Sequence, residues 1–313
     1  MPSWRAKALN KLLFRLIRSR LVQCEDILSL RAVIASLERL SGYVMPISEQ
    51  EMISDWIGGV PCHWLSLDTP SSDSLIVYFH GGGFCFRSPL FHNALLARLC
   101  QQSHCRGVMV NYRLAPEFPF PASVHDCFNF YQDLLEQGFN PNKLILAGDS
   151  AGANLVLTTM MQARDSGLPQ PAGAILISPT VDQTLNSDSA FVMRNADPFF
   201  DIGALLLMRM SYLNGHDPSD PLCSPMYDTL EGLAPMMIHV GSLEILLDDS
   251  VRLANKVKRA RGVADLTIWP ELPHVFPVFY QLPEAQEAIR RMVRFIGQQV
   301  AAAAKATDYS SSA

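Results

Sequence analysis

One stretch decides the fold of this chain, and it reads Lys143-Leu144-Ile145-Leu146-Ala147-Gly148-Asp149-Ser150-Ala151-Gly152. Its apolar first half predicts a strand that is buried on both faces of a sheet, and its second half fits the pattern G-x-S-x-G. Leu155, Val156 and Thr159 then recur at helical spacing. The serine therefore stands on a tight turn between a strand and a helix, where flanking glycines let the two elements approach each other. Such a turn presents the hydroxyl group of Ser150 at the carboxyl end of the sheet.

A second glycine-rich turn lies upstream of the first. Leu75 to Phe79 form another apolar run, which leads into His80-Gly81-Gly82-Gly83. Three glycines after a strand let backbone N–H groups turn towards one point, as the anionic intermediate of acyl transfer requires. A flexible glycine hinge is the alternative interpretation of this loop. The order of the two motifs, with the glycine loop before the serine turn, favours an oxyanion-binding function.

Three motifs together carry a resemblance to a known family. They are His80-Gly81-Gly82-Gly83, Asn111-Tyr112-Arg113-Leu114-Ala115-Pro116-Glu117 and Gly148-Asp149-Ser150-Ala151-Gly152. The chain from roughly residue 55 to residue 297 resembles the hormone-sensitive-lipase-like family of α/β-hydrolases, and bacterial carboxylesterases in particular. The resemblance implies an α/β-hydrolase fold, with a mostly parallel central sheet, helices on both faces of that sheet and a helical cap.

Length and composition agree with this class of fold. The chain has 313 residues, of which 49% are hydrophobic, and these are enough to fill a large core. The net charge of −5 argues against nucleic acid as a partner. The seven cysteines are odd in number and lack the spacing of a disulfide framework, so we expect reduced thiols and a cytoplasmic protein. No group of Cys and His residues has zinc-site spacing, and we expect neither a metal nor a cofactor.

Four segments are expected along the chain. Residues 1–45 form an N-terminal helical cap segment, and residues 46–300 form the α/β-hydrolase catalytic domain. Residues 181–222 interrupt the alternation of strands and helices, so we interpret them as a second cap segment inserted into that domain. The Ala- and Ser-rich tail at 301–313 is expected to be disordered, and Met45 to Glu51 read as the linker into the core.

The first helix of the N-terminal segment has an unusual charge pattern. Residues 1–20 contain six basic residues and no acidic residue, whereas residues 21–313 contain 19 basic and 30 acidic residues. Apolar residues recur along it at helical spacing, namely Leu9, Leu12, Leu13, Leu16 and Ile17. The pattern predicts an amphipathic basic helix. This helix packs its apolar face on the catalytic domain as part of a cap, makes a weak contact with an anionic membrane surface, or serves as a targeting peptide.

Strands and helices alternate through the rest of the chain, which predicts a mostly parallel sheet covered on both sides. The first strands are expected within residues 52–67. The later strands are expected at residues 75–79, 108–111, 144–147, 174–178, 236–240 and 266–269. The intervening helical patterns lie near residues 91–104, 122–136, 151–165, 247–261 and 284–298.

The remaining catalytic residues should follow the serine in the order acid and then histidine. His274 lies just past the last predicted strand, so a loop there would bring its imidazole over Ser150. The family has a histidine in the same context, usually followed by glycine, where this chain has Val275. The other histidines either belong to a motif, lie within a strand or helix, or lack a suitable setting, as do His63, His92, His104 and His216.

The acid is expected shortly after the strand at residues 236–240. The family segment aligns Glu244 with its usual aspartate, so the resemblance implies that Glu244 is the third member of the triad. Asp248 and Asp249 are the alternatives, but they fall within a predicted helix, where we expect them to point along its axis or towards solvent. Acidic side chains in a first helical turn have an ordinary explanation in the helix dipole.

The resemblance assigns further roles around the triad. The backbone N–H groups of Gly81, Gly82 and Ala151 are expected to hold the oxyanion. Asp149 is expected to be structural rather than catalytic. The family segment and the helix after it also place three charged side chains in a structural network near the sheet edge, namely Arg113, Glu117 and Asp126.

Residues close to the oxyanion loop bear on substrate choice. Arg87 stands where the family often has glycine. Cys85 either makes the enzyme sensitive to thiol reagents or is a packed, inert thiol. An acyl pocket could be lined by Phe84, Phe86, Phe199, Phe200 and Met208, although ordinary core packing would also explain these residues.

The resemblance implies a serine carboxylesterase that hydrolyses short- to medium-chain esters of small molecules through an acyl-enzyme. A lipase that acts on longer acyl chains is the main alternative, and an amidase is a further one. Some relatives are receptors that bind a ligand without hydrolysing it, but they have typically lost the histidine that this chain retains as His274. Family members often form dimers, so a homodimer is an open expectation.

Overall fold

An eight-stranded sheet forms the centre of this computed structural model, which describes residues 1–44, 52–65 and 72–311. The strands are β1 Met52–Ile57, β2 Val60–Leu65, β3 Leu75–Phe79, β4 Arg106–Val110, β5 Leu144–Asp149, β6 Gly173–Ile177, β7 Met236–Gly241 and β8 Ala264–Trp269. They lie in the order β1-β2-β4-β3-β5-β6-β7-β8. β2 pairs antiparallel with both β1 and β4, whereas all other pairs are parallel. The mostly parallel sheet expected from the sequence is therefore confirmed.

The inner strands are buried along their whole length. β3, β5, β6 and β7 carry no exposed residue, in agreement with their nearly continuous apolar sequences. Successive side chains of a strand point to opposite faces of the sheet. In β3, Leu75, Val77 and Phe79 therefore pack into the core on one face, and Ile76 and Tyr78 pack into the core on the other.

Helices cover both faces of the sheet. They are α1 Trp4–Leu13, α2 Ser19–Leu21, α3 Ile27–Val44, α4 Pro89–Ser103, α5 Ala122–Glu136, α6 Ala151–Asp165, α7 Asp188–Val192, α8 Ile202–Leu213, α9 Leu247–Arg259 and α10 Pro283–Ser311. One core is completed by α5, α6 and α9, and the other by α1, α4 and α10. In the described part of the chain, no helix combines the length and the apolarity that a membrane crossing requires.

The N-terminal helix begins with a side-chain cap. The hydroxyl of Ser3 accepts the N–H of Ala6 at 3.2 Å, which satisfies one of the free donors at the helix start. Ala6 and Leu13 lie on the inner face of α1 and are buried in the core. The helix then continues through a π-helical turn, Phe14–Arg18, into α2.

The C-terminal helix is longer than the sequence predicts. α10 runs from Pro283 to Ser311, through most of the segment that was expected to be disordered. Alanine has the highest intrinsic helix propensity, so the run of four alanines at residues 301–304 favours continuation of the helix. The expected linker at residues 45–51 lies outside the described residues.

The carboxyl ends of the parallel strands meet along one edge of the sheet, where ligands bind in open α/β folds. β3 ends immediately before His80, and β5 ends immediately before Ser150. Glu244 and His274 follow the ends of β7 and β8. The topology therefore brings four segments that are distant in sequence to the same edge.

Candidate active site

Ser150 occupies a strained corner between β5 and α6. Its φ of 53° and ψ of −118° lie outside the regions that residues other than glycine usually adopt. Its N–H donates to the carbonyl oxygen of Ile177 at 2.8 Å, and this contact with the neighbouring strand helps to hold the corner. Strain of this kind persists only where the surrounding structure enforces it, and it is concentrated at functional sites.

Close backbone contacts require the glycines on both sides of this corner. A Cβ atom on Gly152 would lie 1.9 Å from the carbonyl oxygen of Phe79. A Cβ atom on Gly148 would lie 2.6 Å from the carbonyl carbon of Gly152. The spacing of the G-x-S-x-G motif therefore follows from the tight crossing of α6 over β3 and β5.

The glycine loop after β3 differs in one respect from the expectation. The N–H of Gly81 donates to Asp149 Oδ1 at 3.0 Å, so this donor is already engaged within the protein. The carboxylate of Asp149 is a stronger acceptor than the carbonyl oxygen of an ester, because hydrogen bonds to an ionised group are charge-assisted. Gly82 lines the cavity beside Ser150. The Ala151 N–H lies at the start of α6, where the first backbone donors of a helix have no intrahelical partner.

Asp149 ties the serine turn to the glycine loop, in agreement with a structural role. Besides Gly81, its carboxylate accepts the hydroxyl of Tyr78 at 2.8 Å and lies 3.4 Å from Nε2 of His92. Burial alone would raise the pKa of Asp149, but the neighbouring His92 and these hydrogen bonds outweigh it and hold the pKa below its usual value. His92 also lines the cavity, although the sequence had offered no setting for it.

His274 and Glu244 form a buried pair. Nδ1 of His274 lies 2.7 Å from Oε2 of Glu244, and both side chains are almost fully buried. Burial acts to lower the pKa of His274, but the hydrogen bond and the charge of Glu244 outweigh it, so the pKa lies above its ordinary value. The loop that carries His274 also lines the cavity of Ser150.

Ser178, which the sequence analysis missed, connects the two halves of this pair. Its hydroxyl donates to Glu244 Oε1 at 2.8 Å and accepts the N–H of Val275 at 3.1 Å. The second carboxylate contact is the N–H of Gly241, at 2.5 Å from the same oxygen. Ser178 directly follows β6, the strand next to β7, and this position was the available sequence signal.

Asp248 and Asp249 hold a different part of the molecule. Asp248 Oδ2 accepts the N–H of Ser189 at 2.7 Å, and Asp249 Oδ2 accepts the N–H of Val181 at 2.8 Å. Both contacts stabilise the segment inserted after β6. The expectation that these side chains point along the helix axis or towards solvent is therefore wrong, because backbone donors of the insertion attract them.

Val275 has a left-handed backbone conformation, which explains why the family usually has glycine at this position of the loop. Its φ of 50° and ψ of 37° are left-handed, a region that is costly for a β-branched residue. Its N–H nevertheless makes the hydrogen bond to Ser178. The loop therefore keeps its geometry with valine, and the backbone strain is offset by this contact and by burial of the side chain.

A cavity of about 100 Å³ lies in front of Ser150 and His274. Three of the five residues expected in an acyl pocket line it, namely Phe86, Phe199 and Phe200. The other two pack elsewhere: Phe84 stacks on Tyr212 with ring centroids 3.7 Å apart, and Met208 packs against Gly83. The N-terminal helices close the cavity on one side with residues Ile17, Ile34, Leu37 and Glu38.

The loop beside the cavity is fastened by arginines. Arg31 of α3 donates to the carbonyl oxygens of Cys85 and Ala115, and it forms a two-pronged ion pair with Glu117. Within the expected network, Arg113 forms an ion pair with Asp126, at 2.7 Å. Glu117 therefore joins the N-terminal segment to the sheet edge rather than pairing within its own segment.

The structure shows the surroundings of Cys85 and Arg87, the two residues near the oxyanion loop to which the sequence assigned no role. Cys85 is fully buried, and burial raises the pKa of its thiol to about 12, which makes it a packed, unreactive group. Arg87 donates to Oδ1 of Asn111 at 2.9 Å and lies at the surface. Within the described ranges, no cluster of three or more Cys, His, Asp and Glu side chains is arranged to hold a metal ion.

Comparison with known proteins identifies the family to which this fold belongs. A family model described as the alpha/beta hydrolase fold matches residues 76–278. A solved esterase from the bacterial hormone-sensitive lipase family superimposes with a TM-score of 0.86 at 33% identity, over 93% of this chain and 98% of that one. The chain belongs to the hormone-sensitive-lipase-like family of α/β-hydrolases.

Two further proteins that are similar to this chain bear on the chemistry. An acetyl-hydrolase from Streptomyces hygroscopicus is 39% identical over 215 residues, which are 68% of this chain and 72% of the relative. The esterase EstE5, in a crystal that was soaked by p-nitrophenyl butyrate, is 36% identical and superimposes with a TM-score of 0.87. That match covers 96% of this chain and 99% of EstE5.

Proposed function

We propose that this carboxylic ester hydrolase uses Ser150 as its nucleophile, His274 as its general base and Glu244 as the acid that orients the base. The hydrogen bond of 2.7 Å between His274 Nδ1 and Glu244 Oε2 carries the proposal. A carboxylate at Nδ1 fixes the tautomer in which Nε2 is the proton acceptor. Ser150 lines the same cavity as His274, on a turn that presents its hydroxyl at the edge of the sheet.

In the acylation half of the reaction, Nε2 of His274 takes the proton of Ser150 while Oγ attacks the carbonyl carbon of the ester. The imidazolium that forms is stabilised by the buried charge of Glu244. It then gives its proton to the oxygen of the leaving alcohol, and an acyl-serine ester remains. In the second half, His274 takes a proton from water while the water oxygen attacks the carbonyl carbon of the acyl-serine. The imidazolium then returns this proton to Oγ of Ser150 as the bond between Oγ and the acyl carbon breaks, and the carboxylic acid is released.

The oxyanion of both tetrahedral intermediates would be held by the backbone N–H groups of Gly82 and Ala151. Ala151 is the first residue of α6, where the helix dipole also favours negative charge. Gly81 would act indirectly, because its N–H is bound to Asp149 and thereby fixes the loop in place. Donors that are fixed before the reaction stabilise developing charge without a cost of reorganisation.

Short- to medium-chain esters are the substrate class that the cavity supports best. Its volume of about 100 Å³ is small, and phenylalanine side chains and the N-terminal helices surround it. The relative EstE5 was soaked by a butyrate ester, which makes that ester a suitable probe. Residues 1–45 and 181–222 would together act as a cap that limits the length of the acyl group, while a lipase acting on longer chains is the alternative.

A series of p-nitrophenyl esters tests this substrate class. We expect kcat/KM to be highest for acyl groups of roughly two to eight carbons, because longer chains exceed the volume of the pocket. The control is an assay below the micelle concentration of each ester, so that aggregation does not lower the apparent rate. Faster turnover of emulsified long-chain triglyceride than of the butyrate ester would favour the lipase alternative.

Ser178 should act as a positioning residue for the triad. Removal of its hydroxyl deprives Glu244 of one donor and leaves the N–H of Val275 without its acceptor. A hydrogen bond to a charged group contributes about 1.5–3 kcal/mol, so we expect kcat to fall roughly 10- to 100-fold in Ser178→Ala.

Ser178→Gly supplies a matched control for stability. Ser178 has a φ of 48°, which glycine adopts without strain and alanine does not. The two variants therefore lose the same hydroxyl but should differ in thermal stability, with glycine the more stable. If both lose the same fraction of kcat, the hydroxyl is responsible. If the loss of activity instead follows the loss of stability, Ser178 has only a structural role.

The proposal also includes assembly as a homodimer and a cytoplasmic location. β8 is an edge strand of the sheet, and Ile268 on it is exposed, as expected of a strand that pairs with a second copy. All seven cysteines are free thiols, and most are buried, as expected in a reducing compartment.

A further inference from the structure

The two faces of helix α1 have different surroundings. The inner face packs on the catalytic domain through Ala6 and Leu13. The outer face, together with the π-helical turn that continues it, carries large apolar residues that remain in solvent: Trp4 is 75% exposed, Leu12 52% and Leu16 43%. They recur at multiples of four residues, so they lie in one row along the helix. The inner contacts account for the packing of α1, but they do not explain an apolar outer face.

Basic residues accompany this apolar row. Lys7, Lys11 and Arg15 are exposed and recur every four residues, and Lys11 and Arg15 directly precede Leu12 and Leu16 of the apolar row. None of the three forms an ion pair with an acidic side chain anywhere in the described residues. We define the outer face of α1 as these six residues, Trp4, Lys7, Lys11, Leu12, Arg15 and Leu16, of which the last two lie in the π-helical turn Phe14–Arg18 that continues α1.

We propose that the outer face of α1 docks on the surface of an anionic lipid membrane. Exposed apolar side chains next to a row of unpaired basic residues are the arrangement by which a helix lies in a membrane interface. Tryptophan is enriched at this depth because its ring is amphipathic. Docking does not depend on the proposed triad, so the proposal goes beyond ester hydrolysis.

The charge distribution favours a membrane over a second copy of the chain. Residues 1–20 carry six basic residues and no acid, so positive charge is concentrated in the first segment of an otherwise acidic chain. A planar anionic surface can contact the outer face, which includes no acidic residue, while salt screens its repulsion from acidic residues more than a Debye length away. A second copy would have to supply an acidic and apolar groove of matching length.

Docking would place the catalytic cavity close to the membrane. The π-helical turn that follows α1 carries Ile17, which lines the cavity. Arg18 in the same turn donates to the carbonyl oxygens of Arg194, Asp197 and Phe200, and this fixes the turn to a segment that also lines the cavity. One helix diameter of roughly 10 Å would then separate the cavity from the lipid. Amphiphilic esters dissolved in the bilayer are the substrates that such a position would favour.

Vesicle sedimentation tests the proposal with two triple variants of equal net charge. The first replaces Lys7, Lys11 and Arg15 with glutamine, and the control replaces Lys258, Arg259 and Arg261, which are exposed elsewhere. The probe is vesicles of phosphatidylcholine with phosphatidylglycerol, at about 0.1 M salt. We expect the first variant to bind on the order of a hundredfold more weakly than wild type, and the control to bind like wild type.

A third variant tests the apolar row, and a soluble assay tests the fold. Leu12→Ser with Leu16→Ser should also weaken vesicle binding, while hydrolysis of dissolved p-nitrophenyl butyrate should stay unchanged in all variants. Equal binding by wild type and the first variant, or no binding by wild type, would overturn the proposal. If wild type instead forms a dimer that the first variant cannot form, and ignores vesicles, the outer face binds a second copy. If the wild-type protein did not hydrolyse dissolved p-nitrophenyl butyrate, the proposed function would be wrong, but the docking result would still stand.

Discussion

Replacement of Ser150 by alanine is expected to lower kcat for p-nitrophenyl butyrate by roughly a million-fold, as for nucleophiles of other serine hydrolases. The side chain would be the only source of the covalent intermediate, so the water reaction in the pocket would be all that remains. The backbone conformation at this position is already strained in wild type, and alanine tolerates it no worse than serine does. The measurement is kcat for wild type and Ser150→Ala, with thermal unfolding recorded on the same samples.

A serine at the far end of the same helix supplies the control. Ser166 is exposed just after α6, and Ser166→Ala should retain wild-type activity within about twofold, as for surface substitutions away from special features. Activity of Ser150→Ala above about a thousandth of wild type, in a folded sample free of contaminating esterase, would place the nucleophile elsewhere.

Glu244→Gln is expected to reduce turnover by a factor on the order of a thousand to ten thousand. Glutamine keeps the shape of the side chain but removes the charge that stabilises the imidazolium of His274. Asp248→Asn is the matched comparison, because it removes a charge four residues away whose carboxylate holds the N–H of Ser189. An asparagine oxygen can still accept that bond, so Asp248→Asn should cost far less. An inactive Asp248 variant beside an active Glu244 variant would reverse the assignment.

The pH profiles of Glu244→Gln and Asp248→Asn distinguish the loss of the Glu244 charge from an effect on folding. Glu244 raises the pKa of His274, so wild-type activity should decline as the pH falls through a value above 6.5. In Glu244→Gln the charge is lost while burial remains, and burial lowers the pKa of histidine. The acid limb of the residual activity should therefore move to lower pH, whereas Asp248→Asn should leave it in place. An unchanged limb in Glu244→Gln would show that its carboxylate does not act on the histidine.

Local patterns were sufficient to predict the sheet and the serine turn. The apolar runs that became β3 and β5 are each only a few residues long, but both are bounded by glycine motifs that fix where the strand ends. The glycines themselves are explained by contacts of Gly152 with the backbone of Phe79. Such contacts arise wherever a helix crosses a strand closely. The glycine motif therefore predicts this part of the fold as directly as the apolar strands do.

The sequence could not reveal contacts that depend on side chains far apart in the chain. Gly81 seemed equivalent to Gly82 in the motif, but only the folded position of Asp149 determines that its N–H is occupied. His92 seemed to lack a setting because α4 must first fold against the sheet before it meets Asp149. Ser178 likewise acquires its partners only when the ends of β6, β7 and β8 lie side by side.

Covalent labelling of Ser150 tests the central proposal most directly. Phenylmethanesulfonyl fluoride reacts when an activated serine oxygen attacks the sulfur and fluoride leaves, so it reports nucleophilicity without an ester substrate. Peptide mass spectrometry after complete inactivation should find one phenylmethanesulfonyl group, and it should be on Ser150. Ser150→Ala should remain unlabelled, and Glu244→Gln should be labelled far more slowly than wild type. A label on any other residue, or inactivation with Ser150 unmodified, would contradict the assignment of the nucleophile.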